Sequence, residues 1–229
     1  KKSDWIIKKV DFSNSYSNVS LQKSGKEYNF KSRLLAYYQI ENLVCAMATA
    51  CSYKVSIKNL LKWVEKINEP PGRLERISFT KIRASIFIDY AHTPDALEKN
   101  LKELRKTLAT KGKLKVLFGC GGNRDQGKRI IMGRLAADLA DEVYVTDDNP
   151  RYESPKKIRM EILKFCNNGI DIKDRRRAIF KAIKSLKRFD ILLIAGKGHE
   201  KYQEIQGKKY YFDDKTVILD ALEELQSKC

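Results

Sequence analysis

Short apolar runs alternate with segments of helical periodicity over the part of the chain that begins near residue 84. The runs cover residues 84–90, 115–118, 142–146, 170–172, 191–195 and 210–212, and the periodic segments cover 94–108, 130–140, 155–165, 175–187 and 215–225. An uninterrupted apolar run such as 191–195 is typical of a strand that is buried on both faces. Alternating strands and helices form βαβ units, so the pattern predicts an α/β fold with a mostly parallel sheet flanked by helices.

Three of the predicted helices have a recognisable start. Thr93 precedes Pro94, and a threonine followed by proline at the first helical position is a common way to begin a helix. Ser154 and Ser56 are the corresponding residues for two further helices. We expect these side-chain oxygens to accept a hydrogen bond from a backbone amide of the first helical turn.

The first part of the chain follows a different pattern. Residues 1–35 contain short alternating stretches, which we interpret as the last strands of a sheet whose earlier part precedes this chain. Helices are predicted at 40–52 and 56–67, and the chain is then broken by Glu69-Pro70-Pro71-Gly72. This break predicts a domain boundary, with one domain over residues 1–71 and a second over residues 72–229.

The formal net charge of +17 arises from 46 lysines and arginines against 29 acidic residues. A basic surface can bind nucleic acid or another polyanion. The lysines are spread over nearly every segment, however, and they are not interleaved with aromatic residues as a base-stacking surface requires. The distribution therefore favours solvated helix faces over a nucleic-acid partner.

The remaining composition excludes several classes of protein. The five cysteines are scattered, and with only two histidines the sequence favours neither a zinc site nor a disulfide framework. No apolar run approaches the roughly 18 residues of a membrane span, and no signal peptide is recognisable. We expect a cytoplasmic protein with reduced cysteines, no metal site of its own and no membrane insertion.

Candidate chemistry is concentrated in the four segments that follow predicted strands. These segments are 89–94, 119–125, 147–151 and 196–200, and they are rich in Gly, Asp, Arg, His and Glu. The loops expected at the opposite end of the sheet, such as 110–113 and 187–190, carry no comparable cluster. Because open parallel sheets bind ligands beyond the carboxyl ends of their strands, the sequence predicts one composite site there.

Each of these segments also has a purely structural interpretation. The glycines of 119–122 can shape a tight turn, residues 148–150 are common turn residues, and 196–198 can be a flexible turn. His92 can be a structural residue as readily as a functional one. Arg151 is harder to explain structurally, because a guanidinium beside an Asp-Asn pair offers a fork for a carboxylate.

Together, the segments resemble the Mur ligases of bacterial peptidoglycan synthesis. The resemblance runs from Asn42 to the C-terminus, and its motifs lie in the family's order at 38–42, 71–75, 89–97, 118–125, 148–151 and 196–200. It implies that residues 72–229 form a Rossmann-like C-terminal domain that binds an amino acid. It also implies that residues 1–71 are the end of a central α/β ATP-binding domain.

The resemblance also implies a reaction. In this family, ATP phosphorylates a carboxylate of a nucleotide-linked precursor, and an amino-acid amine then attacks the acyl phosphate to form an amide bond. The Asp-Asn-Pro-Arg motif resembles in particular the members that add meso-diaminopimelate to UDP-MurNAc-L-Ala-D-Glu. The implied partners are these two substrates, the implied cofactors are ATP and Mg²⁺, and the implied location is the bacterial cytoplasm.

Site residues are implied only where the motifs match. For meso-diaminopimelate they are Arg124, Asp148, Asn149, Pro150, Arg151, Gly196 and Glu200. For ATP they are Asn42, Arg73, Asp89 and His92. Arg124 and Arg151 would hold a carboxylate of the amino acid. No catalytic residue and no metal ligand is assigned, because the magnesium ligands are expected mainly upstream of this chain.

The chain also departs from the family pattern. It has no Gly-x-x-Gly-Lys-[Ser/Thr] phosphate loop, and the family's carbamylated lysine and uridine-binding domain are missing as well. Without a cradle for the β- and γ-phosphates, we expect a piece of a longer protein that does not catalyse ligation alone. The alternatives are a related ligase that adds lysine or glutamate, and a non-catalytic module that binds a polyanion such as RNA.

Overall fold

The computed structural model describes residues 4–13 and 16–227. The predicted domains also include residues 1–3, 14–15 and 228–229, and these positions lie outside the described residues. The chain divides into two compact units between Glu69 and Pro70, and each unit is described by itself.

The N-terminal unit pairs a small antiparallel sheet with two helices. Its elements are β1 (Trp5–Phe12), β2 (Ser17–Lys23), β3 (Lys26–Ser32), α1 (Tyr37–Ser52) and α2 (Ile57–Val64), with the strands in the order β1-β2-β3. Leu21, Phe30 and Ile40 are buried in its core. The predicted strands and helices are confirmed. Helix α1 begins three residues before its apolar pattern, because the buried Gln39 Oε1 accepts a hydrogen bond from the Ala36 amide at 3.2 Å.

The C-terminal unit alternates strands and helices. In chain order its elements are β4 (Glu75–Phe79), β5 (Ala84–Asp89), α3 (Pro94–Thr107), β6 (Leu114–Phe118), α4 (Gly127–Leu139), β7 (Glu142–Val145), α5 (Pro155–Leu163), β8 (Gly169–Asp171), α6 (Arg175–Lys184), β9 (Ile191–Ala195), β10 (Tyr202–Ile205), β11 (Lys208–Tyr211) and α7 (Asp214–Ser227). The predicted fold class is confirmed. None of the described helices is long and apolar enough to cross a membrane.

Six strands form the main sheet in the order β4-β5-β9-β6-β7-β8. Every pair in it is parallel except β4 with β5. The prediction of strict strand–helix alternation is wrong in two places. Strand β4 is an antiparallel edge, and its half-buried residues lack the apolar run that marks a central strand. Strand β11 pairs with β10 in a separate hairpin and does not join the sheet.

Helices cover both faces of this sheet. Leu192 and Ile194 pack in one cluster with residues of α6 and α7. Leu193 lies between them and points to the opposite face, because side chains alternate along a strand. Helices α3, α4 and α5 pack side by side in a row. All five residues of β9 are buried, as its apolar run predicted.

The predicted helix starts are confirmed by their hydrogen bonds. Thr93 Oγ1 accepts from the Ala96 amide at 3.3 Å, and Pro94 is the first residue of α3. Ser154 and Ser56 accept from backbone amides of α5 and α2 in the same way. These caps satisfy amides that have no partner inside their own helix.

The loops at the amino ends of the strands are not featureless, which corrects the expectation for 110–113 and 187–190. Lys115 is 1% exposed, and its Nζ donates to the backbone oxygen of Ser185 at 2.7 Å. The same Nζ pairs with Glu142 at 3.0 Å and with buried Asp190 at 3.4 Å. Burial opposes the charge of Glu142, but hydrogen bonds from Lys115 and Tyr144 outweigh burial and lower the pKa of its carboxyl. The cluster fixes this end of the sheet.

Helices α4 and α5 approach each other at Gly133, which predicts an unusual response to alanine. A Cβ added at Gly133 would lie 2.2 Å from the Ile162 backbone oxygen. Alanine stabilises a helix interior by about 1 kcal/mol over glycine, whereas overpacking costs about 1–3 kcal/mol. We expect Gly133→Ala to lower the free energy of unfolding in urea melts.

Gly127→Ala is the matched control for Gly133→Ala. Gly127 belongs to the same helix, but a Cβ there would meet only the Asp125 Oδ1 atom, at 3.3 Å. This variant should be neutral or slightly stabilised. Equal free energies of unfolding for Gly133→Ala and Gly127→Ala would contradict a close approach of α4 and α5.

Candidate functional site

The four candidate loops meet at one edge of the sheet. They follow β5, β9, β6 and β7, which are parallel neighbours in that order. Their backbones are joined directly, because the Gly196 amide donates to the Asp89 oxygen at 3.1 Å and the Gly122 amide donates to the Asn149 oxygen at 2.9 Å. The structure therefore brings the predicted loops of the C-terminal unit into one cluster.

Asn149 is the most highly connected of the predicted residues. Its side chain is almost fully buried, and its Nδ2 donates to Glu200 Oε2 at 3.1 Å. Its Oδ1 accepts from Lys197 Nζ and from the Glu204 amide, each at 2.9 Å. One amide side chain thus ties the loop after β7 to the loop after β9 and to β10.

The side chains of Arg151 and Arg124 both lie close to Gly121. A Cβ added at Gly121 would lie 2.9 Å from Arg151 Nη1 and 3.9 Å from Arg124 Cγ. Arg151 Nε donates to Glu204 at 3.1 Å, and its Nη1 donates to the Gly122 oxygen at 2.9 Å. Arg124 is exposed. Because Gly121 has no side chain, both arginines can approach this loop closely.

A buried charge network lies beneath this edge. Arg175 is 2% exposed, and it donates to both carboxylate oxygens of Asp214, at 2.8 and 2.7 Å. Its Nη1 lies 3.9 Å from Asp148 Oδ2. Burial disfavours the charge of Arg175, but Asp214 and Asp148 outweigh burial and raise its pKa. The buried guanidinium of Arg175 thus lies next to two carboxylates, those of Asp214 and Asp148, beneath the candidate loops.

Asp148, Gly196 and Pro150 are constrained by close contacts. Asp148 Oδ1 accepts from the Asn149 amide at 2.7 Å, whereas its buried Oδ2 has no hydrogen-bond partner among the described residues. Gly196 has a φ of +111°, and a Cβ there would lie 2.9 Å from that Oδ2. Pro150 is buried, and its oxygen lies where a Cβ on Gly122 would be. Only glycine fits at positions 122 and 196 of these loops.

Tyr90 organises the other side of the cluster. The guanidinium of Arg73 lies 4.8 Å from the centre of its ring. The rings of His92 and His199 lie 4.6 and 5.5 Å from it. Its hydroxyl donates to Glu200 Oε1 at 3.4 Å. A cation, two imidazoles and a phenol thus lie side by side around Tyr90.

Asp89 forms hydrogen bonds with the backbone next to Arg73 and His92. It is buried and accepts from the Leu74 and Ala91 amides, each at 2.7 Å. Burial raises the pKa of its carboxyl in spite of those hydrogen bonds. The structure thus gathers Arg73, Asp89 and His92 together. Asn42, the fourth residue of the predicted ATP set, is exposed on α1 of the N-terminal unit.

Several residues of the site were not singled out from the sequence. Tyr90 lies in segment 89–94 and Lys197 in segment 196–200. Their position in two of the candidate loops was the signal that could have identified them. Glu204 lies on β10, a strand that the sequence did not predict. Arg175 and Asp214 are far apart in the chain, and no local pattern marks them as partners. Over the described part of the chain, no group of three or more His, Cys, Asp or Glu residues is placed to hold a metal ion.

Sequence comparisons match this chain to known proteins. A family model described as "Mur ligase, glutamate ligase domain" matches residues 72–198, more than half of the chain. A UDP-N-acetylmuramoyl-L-alanyl-D-glutamate–2,6-diaminopimelate ligase of Rickettsia bellii is 46% identical over 213 residues, which are 92% of this chain and 44% of the relative.

Solved structures show the same similarity. One of a UDP-N-acetylmuramoyl-L-alanyl-D-glutamate–2,6-diaminopimelate ligase has a TM-score of 0.73 at 35% identity, over 99% of this chain and 46% of that chain. The MurF ligase of Thermotoga maritima in complex with ADP has a TM-score of 0.71 at 14% identity, over 100% and 48%, which shows the fold alone. The chain therefore spans less than half the length of these relatives.

The buried network predicts a large difference between two adjacent arginines. Arg175→Met removes the guanidinium that pairs with the buried Asp214 and lies 3.9 Å from Asp148, and breaking a buried ion pair costs about 3–5 kcal/mol. Arg176→Met is the matched control, because Arg176 pairs with Asp220 on the surface at 2.9 Å. Surface pairs contribute about 0–1 kcal/mol. Urea melts at neutral pH should separate the two variants, and equal losses would contradict the network.

Proposed function

The chain belongs to the Mur ligase family, and we propose that it is part of an ATP-dependent amide-bond ligase that adds meso-diaminopimelate to UDP-MurNAc-L-Ala-D-Glu. The observation that carries the proposal is the approach of both Arg124 and Arg151 to Gly121, beside the linked Asn149 and Glu200. A zwitterion with two ammonium and two carboxylate groups needs both signs of charge around it. The names of the relatives support the same reaction.

We propose separate roles for the two units. The unit up to Glu69 is the end of the ATP-binding domain, and the unit from Pro70 is the Rossmann-like amino-acid-binding domain. The sequence placed this boundary between residues 71 and 72. In this arrangement the amino acid binds beyond the carboxyl ends of the parallel strands, as is usual for open sheets.

Each residue of the amino-acid pocket has a proposed role. Arg124 and Arg151 hold a carboxylate, and Asn149 donates a further hydrogen bond to it. Glu200 accepts from an ammonium group, and Asp148 adds negative charge behind it. Gly196 leaves the space that a side chain would fill, and Pro150 fixes the backbone of the loop.

On the ATP side, we propose that Arg73, Asp89 and His92 of the C-terminal unit bind the nucleotide. For Asn42, in the N-terminal unit, nucleotide binding stays a separate prediction from the sequence. ATP supplies the phosphoryl group, which is transferred to an oxygen of the D-Glu side-chain carboxylate. The free amine of the amino acid then attacks the acyl carbon, so that a C–N bond forms and phosphate leaves. When bound, Mg²⁺ would neutralise charge on the transferred phosphate. The proposed location is the cytoplasm, without nucleic acid or membrane as a partner.

The chain alone is expected to be inactive. Its sequence contains no Gly-x-x-Gly-Lys-[Ser/Thr] motif, so it lacks the usual cradle for the β- and γ-phosphates. A coupled assay of the 229-residue chain with ATP, Mg²⁺ and both substrates should detect no ADP above the background. ADP release that requires both substrates would show that this piece carries a complete active site.

Arg151→Ala tests the assignment of the amino-acid pocket. Loss of one charge-assisted contact costs about 1.5–3 kcal/mol, which corresponds to roughly a ten- to hundredfold loss of affinity. We expect this loss for meso-diaminopimelate and an unchanged affinity for ATP, both measured by NMR titration of the purified chain. The matched control is Arg134→Ala, which removes an exposed arginine on α4.

The same titrations distinguish the competing functions. L-Lysine lacks the second carboxylate, so the wild-type chain should bind it much more weakly than meso-diaminopimelate. Equal binding of the two, or an Arg151→Ala variant with wild-type affinity, would contradict the diaminopimelate assignment. Binding of generic RNA with a steep dependence on salt would instead favour the polyanion-binding alternative.

A further inference from the structure

Lys197 is an unusual residue in the candidate site, because a lysine is almost never fully buried. It lies between Gly196 and Gly198 at the end of β9 and has no exposed surface. Its Nζ donates to Asn149 Oδ1 at 2.9 Å and to the Tyr202 backbone oxygen at 2.6 Å. Its ammonium group therefore does not point outward to a ligand, and its role must be indirect.

The contacts of Asn149 allow only one orientation of its amide. Lys197 Nζ and the Glu204 backbone amide can only donate, so the atom that faces them must be the oxygen. The Nδ2 group then faces the carboxylate of Glu200, which can only accept when it is ionised. Rotating the amide by 180° would place a donor against two donors and an acceptor against an acceptor. The assignment of oxygen and nitrogen is thus fixed by three contacts.

The surroundings explain how a cation is retained at this position. The charged groups that act on Lys197 are Asp148, Arg175, Asp214 and Glu200. Burial lowers the pKa of its ammonium group, while the three carboxylates among these residues favour the charged form. A charged donor makes a stronger hydrogen bond than a neutral one, particularly away from water.

We infer that Lys197 is a positioning residue that holds Asn149 with its oxygen inward and its NH₂ group toward the amino-acid ligand. Asn149 then acts on the ligand only as a donor, which suits a carboxylate and rejects an ammonium group. The same NH₂ group, together with the Tyr90 hydroxyl, holds Glu200 in place to accept from an ammonium group. This inference rests on the proposed function, since it concerns the same pocket.

The first test is a double-mutant cycle on affinity for meso-diaminopimelate. Lys197→Met should weaken binding at least tenfold in the wild-type background. In an Asn149→Ala background it should have little further effect, because the residue through which Lys197 acts is gone. If the double variant instead loses affinity by the product of the two single losses, Lys197 supports the fold and not the Asn149 side chain. That result would overturn the inference.

Asn149→Asp separates the donor role from packing. An aspartate has nearly the same shape and Lys197 can pair with it, so we expect the variant to fold, with a melting temperature lowered by the new carboxylate beside Glu200. The donor is lost and a negative charge faces Glu200, so binding of meso-diaminopimelate should fall more than a hundredfold. Wild-type affinity in this variant would contradict a donor role for Asn149.

A measurement without ligand keeps the two proposals apart. In NMR spectra of the free chain, the side-chain NH₂ of Asn149 should exchange with solvent at least tenfold faster in Lys197→Met than in the wild type. Unchanged exchange would overturn the positioning role. A wild-type chain that binds no meso-diaminopimelate would instead contradict the proposed function, and the exchange measurement would still decide the role of Lys197.

Lys115→Met is the matched control for the loss of a buried lysine. Lys115 is 1% exposed and lies at the opposite end of the sheet, paired with Glu142 and Asp190. This variant should lose at least as much stability as Lys197→Met, yet keep both the affinity for meso-diaminopimelate and the exchange rate of the Asn149 amide. A weakened affinity in the control would assign the effect of Lys197→Met to general destabilisation.

Discussion

The ion pair between Arg175 and Asp214 is the interaction on which the candidate site depends. Arg175 also donates to the Ala195 oxygen at 3.0 Å, so one guanidinium joins the first turns of α6 and α7 to the end of β9. A buried guanidinium is tolerable only if its neighbours supply compensating charge and hydrogen bonds. Asp148 supplies part of that charge, so the loop after β7 is held where the helices and the central strand require it.

The hairpin of β10 and β11 holds the loop after β7 in place. Gln203 donates to the Asp148 oxygen at 2.7 Å, and the Arg151 amide donates to the Glu204 oxygen at 3.0 Å. Side chains and backbone of β10 thus pair with the loop that carries the ligand-binding candidates. Groups that are already held in place lose little entropy when a ligand binds, so we expect the hairpin to favour binding of the proposed ligand without contacting it.

Sequence patterns predicted the parts of the molecule that depend on local chemistry. Strand β9 and the start of α3 at Thr93 could be predicted because each depends on a short stretch of sequence. Burial on both faces requires an apolar run, and helix capping requires particular residues at the first helical positions. The site loops could be located because parallel strands bring their carboxyl ends together. The partners of Arg175 and Lys115 could not be predicted, because their contacts join residues that are distant in the chain. Strand β10 was missed since its polar, half-buried residues carry no apolar signal.

The hydrogen bond between Tyr90 and Glu200 joins the two groups of candidate residues. Tyr90 contacts Arg73 and His92, whereas Glu200 is bound to Asn149. A ligand that draws the Glu200 carboxylate away from the hydroxyl alters the surface around the Tyr90 ring, and a ligand on that ring alters Glu200. Thermodynamic linkage makes such an effect equal in both directions. If both proposed ligands bind where we propose, this one contact couples their affinities without any movement of the sheet.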